Sequence, residues 1–481
     1  MRRPAPVSPP VALTVAGSDS GGGAGIQADV KTMEAHGVFG TSVLTAVTAQ
    51  NTRGVASSYT LPTSEIEAQF DAVLDDFTLG AVKTGMLATR EVIETVTDRL
   101  DGVDAPLVVD PVMVATSGDR LLSADAESAY EELVAAATLV TPNTDEAAVL
   151  SGVDVTDPES AGEAAERLVE MGAKAALVKG GHLDGARVVD TLVVSDRLRA
   201  GRAPRDDDAP DAPGTPDAPT GLATHRFEHP RVDTDATHGS GCALSSAIAA
   251  RLARGESLVE AVDGGTDFLH RAVRYGLDVG EGPGAVHHLV ELRERAARQE
   301  TVEAVASVVE EFVARDVSLL VPEVGMNVVG ATPYAESPDE TAAVEGRITR
   351  TFSGVHPNRG VRLGASSHVA RFLLAAREVD PSRRFAVNCR FADDVEAALS
   401  ALDGSVAEFD RAAEPDDSAT EEGNTMQWGA RRAFESTERT PVAVVDRGAV
   451  GKERIVKLLA ADADTLVART LTLLDAVEAE R

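Results

Sequence analysis

The stretch Asp235–Gly255, DATHGSGCALSSAIAARLARG, passes from glycines and small polar residues straight into an alanine-rich helical run. A helix start leaves about four backbone N–H groups without intrahelical partners and carries partial positive charge. Glycines let such a backbone approach an anion closely. Thr237, Gly239, Ser240 and Gly241 are therefore expected to hold a phosphate. Cys242 falls in the first helical turn, where a thiol is expected to become more acidic, and so is a candidate base. The plain alternative is a helix capped by Thr237 or Ser240.

Upstream of this stretch, β-branched runs such as VALTVAG, PLVVDPVM, TLVTPN and AALVKGG alternate with alanine-rich amphipathic segments. That alternation predicts an α/β fold whose mostly parallel sheet is covered on both faces. Ligands of such sheets sit at the carboxyl ends of the strands. Residues 1–10 read as a disordered tail. The proline- and aspartate-rich segment 200–222 cannot bury apolar surface and is expected to be a disordered insertion. Residues 293–300 read as a linker, and a second, smaller α/β domain is expected over 301–481.

The formal net charge is −33, and only six of the 45 basic residues are lysines. Such a surface suits solubility in concentrated salt, where screening weakens self-repulsion, and predicts a halophilic origin. It argues against nucleic-acid binding, which needs basic patches. No run of about 18 apolar residues predicts a membrane span. The two cysteines, Cys242 and Cys389, form neither a metal-ligand spacing nor a disulfide framework. A cytoplasmic location is expected.

Eight motifs in order carry a resemblance: AGSDSGGGAGIQADVKT (Ala16–Thr32), TAVTAQNTRGV (Thr45–Val55), VKTGML (Val82–Leu87), VVDPVM (Val108–Met113), TPNTDEAAVLSG (Thr141–Gly152), ALVKGGH (Ala176–His182), THGSGC (Thr237–Cys242) and GPGAVHHL (Gly282–Leu289). Residues 11–292 thus resemble the ribokinase-like small-molecule kinases, and within them the hydroxymethylpyrimidine/phosphomethylpyrimidine kinases of thiamine synthesis. The resemblance implies a three-layer α/β/α domain that uses ATP and Mg²⁺. Related sugar kinases place an aspartate base where this chain has Cys242. Asp110 and Glu146 would handle Mg²⁺ through water, Asn143 would lie near the nucleotide, and Lys179 would meet its phosphates. A lysine kept in so lysine-poor a chain points the same way. Gln50 would pair with an aminopyrimidine, since its amide both donates and accepts. Asp29, Gly23 and Ala24 would border the substrate and Met86 would pack on its ring. Substrates would be hydroxymethylpyrimidine and its phosphate. By analogy of fold, a homodimer is the expectation. Pyridoxine is the competing alcohol.

The remainder resembles the archaeal thiamine-phosphate synthase domain of ThiN type. The matching pieces are PEVGMNVVGATPYA (Pro322–Ala335), VEGRITR (Val344–Arg350), GASSHVARFLL (Gly364–Leu374), AVNCRF (Ala386–Phe391), GNTMQWG (Gly423–Gly429) and VVDRGAVGKE (Val444–Glu453). The implied reaction joins the pyrimidine diphosphate to a thiazole phosphate and releases pyrophosphate. Leaving pyrophosphate must be neutralised, and Arg347 and His368 are the expected catalytic residues. Arg350, His356, Arg359, Asn388 and Lys452 are further anion-site candidates, whereas Trp428 is expected to pack. The competing reading makes this domain a ligand sensor, as in regulators that carry a related domain.

Overall fold

In a computed structural model the β-branched runs form strands and the alanine-rich stretches form helices. The structure describes residues 5–113, 126, 129–196, 221–411, 424–435, 437, 440–449 and 452–480. Nearly all of the segment 200–222, and the first four residues of the tail, lie outside them. The chain divides into two units, Met1–Glu291 and Leu292–Arg481. Residues 293–300 are helical, within Val290–Ala314.

The first unit holds a nine-stranded sheet: β1 (Val11–Asp19), β2 (Phe39–Asn51), β3 (Gly54–Thr60), β4 (Ala81–Thr84), β5 (Leu107–Val109), β6 (Leu139–Val140), β7 (Ala175–Val178), β8 (Arg187–Ser195) and β9 (Leu222–Pro230). Their order is β3-β2-β1-β4-β5-β6-β7-β8-β9. From β2 through β1 and β4 to β7 the neighbours run parallel, while β3, β8 and β9 join antiparallel. Successive side chains of a strand point to opposite faces. Val82, Val109 and Val140 accordingly enter one core, and Ala81, Val108 and Leu139 enter another on the far side. Both faces being buried, this is the expected ribokinase-like three-layer arrangement.

The Ser240–Ala253 helix lies in the second of these layers. Every residue from Ala243 to Ala250 is buried. A helix apolar or small all round is one that is surrounded. Its start is set by Gly239, at φ +80°, where a Cβ would stand 1.8 Å from the Gly23 carbonyl oxygen. Two glycine-rich turns therefore touch at that point.

The second unit holds β10 (Val328–Ala331), β11 (Thr341–Val344), β12 (Ile348–Thr351), β13 (Gly354–Pro357), β14 (Val361–Leu363), β15 (Phe385–Arg390), β16 (Val406–Phe409), β17 (Ala443–Asp446) and β18 (Ile455–Ala460). Seven of them form a sheet in the order β14-β11-β10-β15-β18-β17-β16, and β12 pairs with β13 in a separate hairpin. All pairings of the large sheet are antiparallel except β16 with β17. Val328, Val387 and Leu458 pack on one face with Phe312 and Leu473. Val329, Ala386 and Leu459 pack on the other with Phe372 and Ala430.

Candidate active sites

The carboxyl ends of β1, β4, β5 and β7 meet the start of the Ser240–Ala253 helix around a cleft of about 550 Å³. β5 ends at Val109 and β7 at Val178, so Asp110 and Lys179 stand at the tips of the two strands that flank β6. Lys179 Nζ lies 3.1 Å from Asp110 Oδ1 and 4.0 Å from Glu146 Oε2. Glu146 is held by a capping box: its N–H donates to Asn143 Oδ1 at 2.9 Å, and its Oε2 accepts the Asn143 N–H at 2.8 Å. Burial works against the Lys179 ammonium, but the Asp110 and Glu146 carboxylates outweigh it and hold its pKa above the ordinary value. Burial also pushes Glu146 up to about 7, with Lys179 opposing and Asp110 adding to the rise. Ser245 Oγ also donates to Asp110 Oδ2 at 3.3 Å, and each carboxylate still keeps lone pairs for a further partner. No group of three or more His, Cys, Asp or Glu able to hold a metal occurs among the described residues. The pair fits a hard divalent ion that keeps water and phosphate oxygens as its other ligands.

Gln50, Met86, Ala24 and Asn143 line the same cleft, as do Thr237, Gly239, Ser240, Gly241 and Cys242. The Gln50 Oε1 accepts from Thr48 Oγ1 at 3.2 Å. Cys242 departs from expectation. Burial pushes its thiol up to about 11, with the Asp29 and Asp110 carboxylates adding to the rise and Lys83 and the Gly25 N–H acting the other way. Lost solvation of the thiolate outweighs the favourable charge of a helix start.

Asp29 and Gly23 do not line the cleft. Asp29 is fully buried and saturated: Lys83 Nζ donates to both carboxylate oxygens at 2.9 Å, Thr14 Oγ1 to Oδ2 at 2.6 Å and Ser246 Oγ to Oδ1 at 2.7 Å. No acceptor is left for a substrate, because its position on the buried face of helix Gly25–Ala35 points it inward. Gly23 instead donates its N–H to Asp19 Oδ2 at 2.9 Å.

Sequence reading passed over three residues that the fold brings to this cleft. Asp19, at the end of β1, accepts from the N–H groups of Gly21, Gly23 and Ala24 at 2.7–2.9 Å. His238 Nε2 lies 3.1 Å from the Asp19 Oδ2 and so ties the two glycine turns together. Burial opposes the Asp19 charge, but these donors, His238 first, hold its pKa below the usual range. Lys83 is the third, and the scarcity that marked Lys179 marks it equally.

In the second unit Arg347 and His368 do not converge. Arg347 follows the Val344 end of β11, where its Nη1 donates to the Val324 carbonyl. His368 follows β14, which runs antiparallel, with Leu363 beside Ala342. The two residues thus leave opposite ends of one strand pair, both exposed. Arg350 and His356 sit on the β12–β13 hairpin, and Arg359 pairs with Glu345 at 3.6 Å. Asn388 is buried: it accepts the Asn327 N–H at 2.7 Å and donates to the Gly325 carbonyl at 3.1 Å, which is a framework role. Lys452 lines an open groove of about 630 Å³ with Glu323 and Arg454. Trp428 packs edge-on against Phe409 at 6.0 Å. An unforeseen buried cluster holds Asp446, gripped by Arg411 at 2.9 and 2.6 Å, with Lys457 Nζ at 3.8 Å. Lys457 lies over the rings of Phe372 and Phe409, and burial pushes it down to about 8.

A crossover sheet with a glycine-lined helix start and an acid–lysine set at its strand ends defines a small-molecule kinase of the ribokinase-like class. The family model for phosphomethylpyrimidine kinase matches residues 19–215 and 219–287, and that for thiamine-phosphate synthase ThiN matches 304–472. The chain belongs to the phosphomethylpyrimidine kinase family and carries a thiamine-phosphate synthase domain behind it, so that it is a multifunctional enzyme of thiamine biosynthesis. A hydroxymethylpyrimidine/phosphomethylpyrimidine kinase of Streptomyces coelicolor is 46% identical over 284 residues, 59% of this chain and 96% of that one. A thiamine biosynthesis bifunctional protein of Geobacter sulfurreducens is 43% identical over 58% of this chain and 52% of its own. Among solved structures, an ADP complex of Bacillus subtilis pyridoxal kinase superposes with a TM-score of 0.50 at 30% identity, covering 59% of this chain and all of that one. Pyridoxal kinase from Staphylococcus aureus with AMP-PCP and pyridoxal gives 0.50 at 29% identity, over 60% and 96% of the two chains. No helix among the described residues is long and apolar enough to cross a membrane.

Proposed function

We propose that the first unit uses Mg-ATP to phosphorylate 4-amino-5-hydroxymethyl-2-methylpyrimidine to its monophosphate and then its diphosphate, and that the second unit couples the diphosphate to thiazole phosphate. The observation that carries the first part is one cleft holding the Asp110–Lys179–Glu146 set, the Thr237–Cys242 turn, Gln50 and Met86. Phosphoryl transfer needs positioning and charge neutralisation more than covalent chemistry. Asp110 and Glu146 would hold Mg²⁺, which neutralises charge on the nucleotide phosphates when bound. Lys179 and the N–H groups of Gly239–Cys242 receive the transferred phosphoryl group. Cys242 is the group placed to take the proton of the attacking hydroxyl. Gln50 orients the aminopyrimidine.

In the second unit Arg347 and His368 are the proposed anion-binding residues. Their separation suits a reaction in which both partners carry phosphate. The test is incubation of the purified chain, in high salt, with the pyrimidine alcohol, Mg-ATP and thiazole phosphate. Thiamine monophosphate is expected, and Arg347→Ala or His368→Ala should stop it while pyrimidine diphosphate accumulates. Accumulation of the diphosphate alone in the unaltered chain would make the second unit a ligand sensor. Similarity to pyridoxal kinases gives a second alcohol to compare, and the pyrimidine should be preferred in kcat/KM.

A further inference from the structure

We propose that Lys83 is the positioning residue of the kinase site that favours the thiolate of Cys242, the form that can take the proton of the alcohol acceptor. The inference rests on the reading of Cys242 as the proton acceptor. Lys83 ends no strand tip in the cleft mouth; it lies in β4, fully buried, and forms part of the cleft floor. Its Nζ is fixed by both oxygens of Asp29 at 2.9 Å. Asp29 is fixed in turn by Ser246 Oγ at 2.7 Å. Ser246 and Cys242 are four residues apart on one helix, so they share a face one turn from each other. The ammonium therefore lines the cleft on the side from which Cys242 projects, where it favours the Cys242 thiolate against the opposing charges of Asp29 and Asp110. Gly85 keeps that approach open, since a Cβ there would stand 2.8 Å from Nζ. Lys179, by contrast, lies against Asp110 and Glu146 on the phosphate side of the cleft.

The chemistry separates two acceptors. In the first phosphorylation the hydroxyl oxygen bonds to the γ-phosphorus, the bond from that phosphorus to the β–γ bridging oxygen breaks with its electron pair leaving on ADP, and the hydroxyl proton passes to the Cys242 thiolate. In the second the acceptor is a phosphate monoester, whose second pKa is about 6, so at pH 8 it is already ionised and needs no base. A cation serving the thiolate matters to the first step only. A cation serving the acceptor's own phosphate matters most to the second.

The two steps are measured separately at pH 8, from the alcohol and from the monophosphate, in the full chain. Lys83→Met should lower the first by about 100-fold, the scale of one preorganised electrostatic contact, and the second by less than about threefold. Lys83→Arg should restore much of the first. Because Asp29 is left unpaired by Lys83→Met, the double variant Lys83→Met/Asp29→Asn, which removes both charges, serves if the single variant fails to fold. Equal losses in both steps, or a larger loss in the second, would overturn the proposal. Cys242→Ala is the separate control: if it affects both steps alike, the reading of Cys242 as the base fails and takes the role of Lys83 with it. If Cys242→Ala is selective for the first step and Lys83→Met is not, Lys83 alone is excluded.

Discussion

Asp446 carries two cations inside the second unit. It is fully buried, and Arg411, Lys457 and the Gly448 N–H all meet it. Removing one partner of a buried pair leaves an uncompensated charge and costs about 3–5 kcal/mol. Asp446→Ala should lower the stability of the second unit by that amount in urea unfolding, with kinase activity retained; a loss under about 1 kcal/mol would mean that water reaches the cluster. His288 is the counterpart in the first unit. Burial, with Lys31, His287 and His238 nearby, pushes it down to about 4. A histidine lowered below its ordinary value of about 6.5 binds its proton more readily in the unfolded chain between those limits. Its contribution to stability is therefore present above about pH 6.5 and lost as pH falls towards 4. Melting temperatures of His288→Gln and the unaltered chain should converge as pH drops from 7 to 4.5, and parallel curves would refute this. Of the single residues, Lys179 was legible because lysine is scarce and it follows a strand-like run. Lys83 met the same criterion, but its partner Asp29 is 54 residues away and the pairing exists only in the folded sheet.

The Ser240–Ala253 helix shows how an element converts small side chains into a site. Its alanines and serines let it lie buried on all sides, and its start faces the strand ends. Gly239 is the hinge of that arrangement, combining a positive φ with a close approach to Gly23. Gly239→Ala should displace the turn, and because displacements near 1 Å can cost about 100-fold in rate, kinase turnover should fall at least that far while synthase turnover from supplied diphosphate is unchanged. A variant with near-normal turnover would show that the turn does not hold the phosphoryl group. The helix and its turn were readable from residue types alone, as was the Asn143–Glu146 start of the next cleft wall. The antiparallel order of the second sheet was not. Short buried strands have apolar runs that look alike whichever neighbour they acquire. The separation of Arg347 from His368 follows from that order, so it too was hidden.

For the whole molecule, charge is the governing quantity. A chain with net charge −33 repels itself in dilute buffer, and added salt screens that repulsion within about 3 Å at 1 M. Its melting temperature should rise steadily from 0.1 to 2 M KCl. A flat or falling curve would remove the case for a halophilic origin. The two units carry separate cores, each a sheet between helical layers, so lesions in one should leave the other's chemistry measurable.

The sequence by itself determined the layered α/β class, the division into a kinase and a synthase part, and most of the kinase cleft. These depend on local signals: strand runs, glycine turns, caps and charged residues at strand ends. The tertiary structure alone decided that Asp29 faces Lys83 rather than substrate, that burial raises the Cys242 thiol instead of lowering it, and that Arg347 and His368 stand apart. Each of these turns on burial or on contacts between residues distant in sequence, and solvation energy and strand register are set by the packed whole.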